Sequence, residues 1–140
     1  AYMFLDRQQF KEALADANQL VRLRPAYKTG YYLRATCYNK LNEPEKALAD
    51  YTKCIELTPD HHLSMNNRGN IYMNSFQKYN EALNEFTAAI NIRPLGNYFL
   101  NRSMCYFKMN DNTKAREDAL RAQERGAVPT STYKDSLQLK

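Results

Sequence analysis

The chain of 140 residues is long enough for one domain, and its content of 44% apolar and 25% charged residues is ordinary for a folded protein. No apolar run approaches the roughly 18 residues that a membrane-spanning helix needs, and we expect no spanning or secretory segment within these residues. The net charge of +5 is spread evenly along the sequence, which favours neither nucleic acid nor an anionic membrane as a partner. The three cysteines form no Cys-x-x-Cys pair, so a reducing compartment such as the cytoplasm is the first expectation.

Four of the five prolines mark a repeat of 34 or 35 residues. Each of them follows a stretch of helical character, and proline stops a helix because it has no N–H to donate and disfavours helical geometry in the residue before it. A small residue, and an aromatic residue three positions later, recur upstream with a constant step of 34 residues. A period of this length indicates a repeated pair of secondary-structure elements. The prolines are Pro25, Pro59, Pro94 and Pro129, the small residues are Ala1, Ala35, Gly69 and Ser103, and the aromatic residues are Phe4, Tyr38, Tyr72 and Tyr106.

The repeat divides the chain into four units and a tail. Residues 1–27 begin at the small residue of a unit, so we expect a truncated first helix there, followed by a second helix that carries Ala13. We also expect that a longer protein precedes this segment. Residues 28–61, 62–95 and 96–128 each hold a complete unit. Residues 129–140 are predicted to form a closing helix with one polar face.

Each complete unit is predicted to be two antiparallel helices. Tyr31, Ala35 and Tyr38 are separated by four and three residues, which places them on one stripe of a helix. A second stripe begins at Ala47, after the polar break 42–45, where an N-cap residue can start a second helix. A helix pair of this size cannot bury its own apolar faces, so we expect the pairs to stack on one another.

This pattern resembles the tetratricopeptide repeat family over nearly the whole sequence. The tryptophan of that family is absent, and its leucine before the small residue is arginine here. The resemblance implies an all-α fold, an α-α superhelix of stacked antiparallel helix pairs that acts as a non-catalytic scaffold for protein–protein interaction. The family's aromatic, small, aromatic, alanine, aromatic and proline positions are matched in the best unit by Tyr31, Ala35, Tyr38, Ala47, Tyr51 and Pro59.

The cysteines and histidines are interpreted as structural residues. Cys37 and Cys105 occupy a position of the repeat that is otherwise apolar, and Cys54 shares its position with leucine and alanine. Buried thiols behave as small apolar groups. His61 and His62 adjoin in a predicted solvated turn without a cluster of carboxylates or cysteines nearby, which is a poor metal site. We therefore predict no metal and no cofactor.

Acidic residues recur on the second helices and arginines on the first helices. Paired carboxylates can serve acid–base catalysis, but repetition once per unit favours arginine–carboxylate pairs between packed helices. The sequence holds no Ser/His/Asp arrangement, no Walker loop and no dinucleotide fingerprint, so we expect no catalytic residue. The acidic residues are Asp16, Asp50, Glu85 and Asp118, and the arginines are Arg34, Arg68 and Arg102.

The resemblance implies a concave groove lined by the first helices, which binds a peptide or a partner segment. Proteins with similar repeats place an asparagine at the positions of Asn67 and Asn101, where its amide can bond a peptide backbone of any sequence as donor and acceptor. An alternative, in which the asparagines only contact solvent, stays open. The predicted groove comprises Tyr32, Thr36, Asn39, Asn66, Asn67, Asn70, Met73, Asn74, Leu100, Asn101, Met104, Phe107 and Lys108, with Lys40 beside it and Tyr2, Leu5 and Asp6 at its start.

Repeat proteins of this family that bind the acidic C-terminal tails of heat-shock chaperones clamp the terminal carboxylate with an asparagine and with lysine or arginine on the first helices. Asn67 matches the asparagine, but the flanking positions hold uncharged residues. We therefore expect no such clamp here, unless Lys40 and Lys108 reach into the groove.

Two other functions are alternatives to a protein-interaction scaffold. The segment could present substrates within a larger enzyme that resembles the O-GlcNAc transferases, although Leu33 breaks the asparagine ladder that such enzymes carry. RNA binding by a pentatricopeptide-like array is disfavoured by the weak net charge. We expect a protein or peptide partner, with no nucleic acid and no membrane contact by this segment.

Overall fold

The computed structural model describes the backbone of residues 2–139 and the side chains of residues 7–139. The small residue at Ala1 and the expected roles of the Tyr2, Phe4, Leu5 and Asp6 side chains lie outside what is described. Residues 2–139 form eight helices and contain no strand, which confirms the all-α class. The helices are α1 (Tyr2–Leu23), α2 (Lys28–Lys40), α3 (Pro44–Leu57), α4 (His62–Asn74), α5 (Tyr79–Ile92), α6 (Gly96–Lys108), α7 (Asn112–Glu124) and α8 (Ser131–Ser136).

The chain begins with one continuous helix rather than with the two that the repeat predicts. Helix α1 runs unbroken for 22 residues. Residues 7–12 are Arg, Gln, Gln, Phe, Lys and Glu, and this stretch contains no proline, glycine or asparagine that would interrupt a helix. The expected end of a truncated first helix before Ala13 is therefore wrong for this structure.

The polar breaks inside the first and third complete units end the first helices with the same backbone geometry. Asn42 and Asn110 adopt the left-handed conformation, with φ of 62° and 65°. The following N–H turns back onto the helix, and the Glu43 N–H donates to the Tyr38 carbonyl at 2.8 Å. Asparagine tolerates this conformation better than most residues, which explains why it stands at these turns.

The second helices start in two different ways. Pro44 occupies the first turn of α3, where its missing N–H has no partner to lose. Glu43 precedes it without a capping hydrogen bond from its side chain. In α7, by contrast, the Asp111 side chain accepts a hydrogen bond from the Lys114 N–H at 3.1 Å. The N-cap prediction thus holds at Asp111 but not at the break 42–45, where α3 starts with Pro44 and without a side-chain cap.

The chain divides into two compact units, Ala1–Ser64 and Met65–Lys140. In the first unit α2 packs against α1 and α3, and Ala35 and Ala47 are fully buried. The Thr36 and Tyr51 hydroxyls lie 3.3 Å apart and link α2 to α3. The small residues of the repeat therefore lie where the packed helices approach each other closely.

In the second unit Gly69 of α4 lies directly against the ring of Phe86 on α5. A Cβ at Gly69 would stand 2.7 Å from Cε1 of that ring, so the glycine creates the space that the ring fills. Phe86 packs in a core cluster with Met73, Ala82 and Cys105. The small residue of this unit is therefore in direct contact with an aromatic ring of the second helix.

The short helix α8 closes the second unit. Its Tyr133 hydroxyl lies 2.6 Å from the Ser103 hydroxyl of α6, and Leu137 packs against Ala115 and Ala119 of α7. The Arg116 guanidinium donates to the carbonyls that follow α8. None of the helices in residues 2–139 combines the length and apolar character that crossing a membrane requires.

Candidate functional site

Four asparagines crowd one side of α4. Asn67, Asn70 and Asn74 follow one another at intervals of three and four residues, so they share the face that is turned away from the Gly69 contact. Asn74 is exposed and the other two are half-buried. We call the side chains of Asn66, Asn67, Asn70, Asn74 and Asn101 the amide face.

A hydrogen bond between asparagines connects this face across two first helices. The Asn101 Nδ2 group of α6 donates to the Asn66 Oδ1 atom of α4 at 2.9 Å. Asn66 is 6% exposed, while Asn101 is half-buried. One hydrogen bond uses only part of the capacity of two amides, each of which has two N–H donors and a carbonyl with two lone pairs. The pair therefore holds Asn101 in position and leaves capacity for a further polar group.

The arginines on the opposite side of the first helices are neutralised. Arg102 makes a bidentate pair with Asp118 of α7, at 2.7 Å and 2.9 Å, and Arg34 pairs with Asp50 in the same way. Arg68 bonds to Glu85. The hydrogen bonds that the guanidinium groups donate to these carboxylates raise the pKa of Arg34 and Arg102.

This arrangement confirms the predicted arginine–carboxylate ladder in the three complete units. Arg34 also bonds to Asn18 of α1, and Arg102 also bonds to Thr87 of α5. Each of these two arginines therefore joins three successive helices, which is a structural role. The fourth predicted acidic position, Asp16, is exposed on α1.

Apolar residues line the edge of α6 that faces α8. Leu100 and Met104 form one wall of a cavity of about 130 Å³, which Val128, Pro129, Thr130 and Tyr133 complete. Next to it the Phe107 ring meets the Tyr133 ring edge-on, with centroids 5.6 Å apart. The chain's own tail therefore covers part of Phe107, a predicted groove residue.

Two predicted groove residues, Asn66 and Met73, are buried. Met73 is 2% exposed and packs against Phe86 and Cys105 in the core. Its side chain is part of the core, so the expectation that Met73 lines an accessible groove is corrected. Lys108, by contrast, is exposed at the end of α6.

The predicted groove residues of the first unit lie on α2. Tyr32 is half-buried, and its ring lies edge-on to those of Tyr51 and His61. The Thr36 hydroxyl donates to the Tyr32 carbonyl at 2.9 Å. Asn39 and its neighbour Lys40 are exposed at the end of α2.

Two features escaped the sequence interpretation. His61 is half-buried rather than free in a turn, and its Nδ1 atom lies 2.6 Å from the Ser64 hydroxyl at the start of α4. Burial lowers the pKa of His61. The second feature is the cavity that Val128 lines, and the apolar residue directly before Pro129 is a signal of it in the sequence.

The cysteines pack as predicted. Cys37, Cys54 and Cys105 are buried free thiols, and burial raises the pKa of the Cys105 thiol to about 11. Such a group is protonated at neutral pH and is a poor nucleophile. Among the described residues, no three His, Cys, Asp or Glu side chains come together as a metal site requires.

Comparisons with known proteins agree with this architecture. Residues 29–61 match the family model of the tetratricopeptide repeat. "Tetratricopeptide repeat protein 13" of Homo sapiens is 27% identical over 123 residues, which are 84% of this chain and 14% of that protein. These matches support the assignment of the chain to the tetratricopeptide repeat family. A UDP-N-acetylglucosamine–peptide N-acetylglucosaminyltransferase of Giardia intestinalis is 38% identical to this repeat chain over 53 residues, which are 38% of the chain and 4% of the enzyme.

Solved structures show the same fold. The crystal structure of YrrB, described as a tetratricopeptide repeat protein with an unusual peptide-binding site, is 24% identical with a TM-score of 0.72, over 79% of this chain and 57% of that one. The first such domain of Spaghetti (RPAP3), bound to the HSP90 peptide SRMEEVD, is 18% identical with a TM-score of 0.72, over 79% of this chain and 87% of that one. The chain spans only 14% and 4% of the lengths over which these two curated relatives extend.

Charge is segregated between the two kinds of helix in these tetratricopeptide repeats. The first helices α2, α4 and α6 contain no aspartate or glutamate, whereas α3, α5 and α7 contain eight such residues. Because the arginines of the first helices pair with those carboxylates, the exposed cations of the first helices include Lys40 and Lys108. The first helices α2, α4 and α6 themselves therefore contribute no negative side chain.

Proposed function

We propose that this chain is a non-catalytic scaffold that holds an extended peptide segment on the amide face of its second unit. The observation that carries the proposal is the Asn101 to Asn66 hydrogen bond, which fixes amides of two successive first helices side by side. Peptide binding by the solved neighbours YrrB and RPAP3 supports the same class of function.

The mechanism of this proposal is recognition of the peptide backbone. Asn67, Asn70 and Asn101 would offer donors and acceptors to successive peptide groups, independent of the side chains of the bound segment. Each hydrogen bond contributes only about 1 kcal/mol net, because it replaces bonds to water. Ordering a flexible peptide opposes binding, so an affinity around micromolar, or about -8 kcal/mol, is expected.

The proposal is tested with a peptide selected from a random library on the immobilised protein. Replacing Asn67 and Asn101 by alanine should weaken binding of that peptide about tenfold or more, as the loss of two hydrogen bonds implies. Isothermal titration calorimetry measures the affinity, and circular dichroism verifies that the helix content is unchanged.

The matched control replaces Asn84 and Asn91, two exposed asparagines of the second helix α5. Their substitution by alanine should leave the affinity as it is. Equal affinities of all three proteins for the selected peptide would refute backbone recognition by the amide face.

A second candidate function rests on the similarity to the Giardia glycosyltransferase. In that case the repeats would present protein substrates to a catalytic domain elsewhere in the same polypeptide. Leu33 counts against it, because it replaces the asparagine that Asn67 and Asn101 provide in the next two units. The sequence of the complete gene decides between the two functions, since only the second requires a glycosyltransferase domain.

A further inference from the structure

The cavity beside α6 exists because the helix that covers this edge is short. Helix α6 has 13 residues and α8 has 6, which correspond to lengths of about 20 Å and about 9 Å. The chain that leads into α8, residues 127–130, is not helical. Its side chains therefore do not fill the edge of α6 as a full helix would, and the cavity of about 130 Å³ remains between Leu100, Met104 and Tyr133.

The size of the cavity suits one large apolar side chain. An engineered protein cavity of about 150 Å³ is known to bind benzene, so 130 Å³ accommodates the side chain of leucine or methionine or an aromatic ring. Its mouth is apolar and open, with Met104 37% exposed and Val128 82% exposed. The flexible, polarisable thioether of Met104 can adapt to side chains of different shape.

The cavity adjoins the amide face. Asn101, Met104 and Lys108 follow one another on α6 at intervals of three and four residues, so they lie on the same side of the helix, with Leu100 next to them. An extended peptide that bonds to Asn101 would therefore pass the mouth of the cavity within one or two residues.

The charge of this surface selects an acidic segment. Helices α4 and α6 carry no carboxylate, Arg68 and Arg102 are neutralised by their partners, and Lys108 is exposed. Helix α8 contributes one acid, Asp135, but it stands two residues after Tyr133 and so on the other side of that short helix. A carboxylate beside the cavity would thus meet an unopposed cation.

We propose that the cavity between α6 and α8 is an anchor pocket for a single leucine, methionine or phenylalanine side chain of an acidic peptide segment that lies extended on the amide face. This inference rests on the proposed function and specifies its ligand. Burial of one apolar anchor in a pocket of this kind commonly dominates the affinity of a peptide, and the acidic flanks add attraction at long range.

The probes are short capped peptides with acidic flanks around one central residue, measured by fluorescence anisotropy. The peptide with central leucine should bind about tenfold or more tightly than the same peptide with central alanine, as expected for an anchor residue. The leucine peptide with lysine flanks should also bind more weakly than its acidic counterpart.

Two protein variants locate the binding of the acidic leucine peptide. Met104→Glu places a carboxylate on the wall of the pocket and should abolish measurable binding. Leu120→Glu makes the same change of charge at an exposed leucine of α7 that does not line the cavity, and should leave binding unchanged. Circular dichroism spectra equal to that of the wild type establish that both variants are folded.

The possible results separate this inference from the proposed function. Equal affinity for the leucine and alanine peptides, equal loss in the two glutamate variants, or no binding to the wild type overturns the anchor pocket. Binding that depends on Asn101 but not on Met104 overturns the pocket and leaves the amide face standing. Binding that depends on Met104 but not on Asn101 supports the pocket and refutes backbone recognition.

Discussion

The contact between Gly69 and Phe86 predicts a large effect of a small substitution. In Gly69→Ala the new methyl group would lie 2.7 Å, 3.0 Å and 3.1 Å from three atoms of the Phe86 ring. Cβ atoms in proteins do not tolerate the shortest of these distances, so either the ring or α4 must move. The ring is 0% exposed and is held by Met73, Ala82 and Cys105, which leaves it little room.

The magnitude follows from two opposing effects. Overpacking of a filled core destabilises by about 1–3 kcal/mol, whereas alanine is favoured over glycine inside a helix by about 1 kcal/mol. We therefore expect Gly69→Ala to lower the free energy of unfolding by about 1 kcal/mol, and Gly69→Leu, with three more carbons, to prevent stable packing of α4 on α5.

Chemical denaturation followed by circular dichroism measures the change. Gly30→Ala is the matched control, because Gly30 is also buried in a first helix but its nearest neighbours, side-chain atoms of Leu20 and Val21, lie 3.3 Å away. The control should be close to the wild type in stability. A Gly69→Ala protein as stable as the control would refute the close packing of α4 on α5.

Three further predictions concern buried polar groups. Arg102→Ala should destabilise the second unit by about 3 kcal/mol in a denaturation experiment, because it removes two hydrogen bonds to the buried carboxylate of Asp118 and leaves it with Arg121, whose Nη1 lies 3.2 Å from Oδ1. Lys114→Ala, which removes an exposed pair, should have little effect. Burial lowers the pKa of His61 from its usual 6.5, so the folded state favours the neutral ring. The free energy of unfolding should therefore fall as the pH drops below about 6.5 and through the lower pKa of the folded state. His61→Asn should flatten that part of the pH profile, and an unchanged profile would contradict the burial of the ring. The Cys105 thiol, with its pKa raised to about 11, should react with a thiol reagent only in denaturant, and rapid reaction of the native protein would show that α5 and α6 open readily.

Features that repeat could be predicted from the sequence. The recurrent prolines, small residues and aromatic residues predict the helix pairs α2–α3, α4–α5 and α6–α7, because each feature reports a local requirement of backbone or packing. The arginine–carboxylate ladder was predictable for the same reason, since its partners recur once per unit.

The accessibility of the groove residues was not predictable in this way. Met73 and Phe107 occupy equivalent positions 34 residues apart, yet Met73 is buried and Phe107 is only half-buried. The difference arises from the helix that lies beside each of them: α6, with 13 residues, lies beside α4, whereas the shorter α8, with 6 residues, lies beside α6. The exposure of a residue on a first helix thus depends on the length of a neighbour that its own repeat does not encode.

At the start of the chain the repeat predicts a break between helices that the structure does not contain. Ala13 and Pro25 keep the spacing of the repeat, so the pattern predicts a break between two helices before Ala13. Residues 7–12 are compatible with an unbroken helix, and local helix propensity decides the structure of α1. A repeat pattern indicates the helix pair only where residues that stop the first helix are present.

The most direct measurement of the central proposal is an NMR titration of the asparagine side-chain amides with the peptide selected from the random library. Peptide binding on the amide face predicts that the Nδ2 resonances of Asn67, Asn70 and Asn101 shift together and saturate at one peptide concentration. The resonances of Asn84 and Asn91 on α5 should not shift. Shifts confined to α5, or saturating peptide without any shift at Asn101, would contradict binding on the amide face.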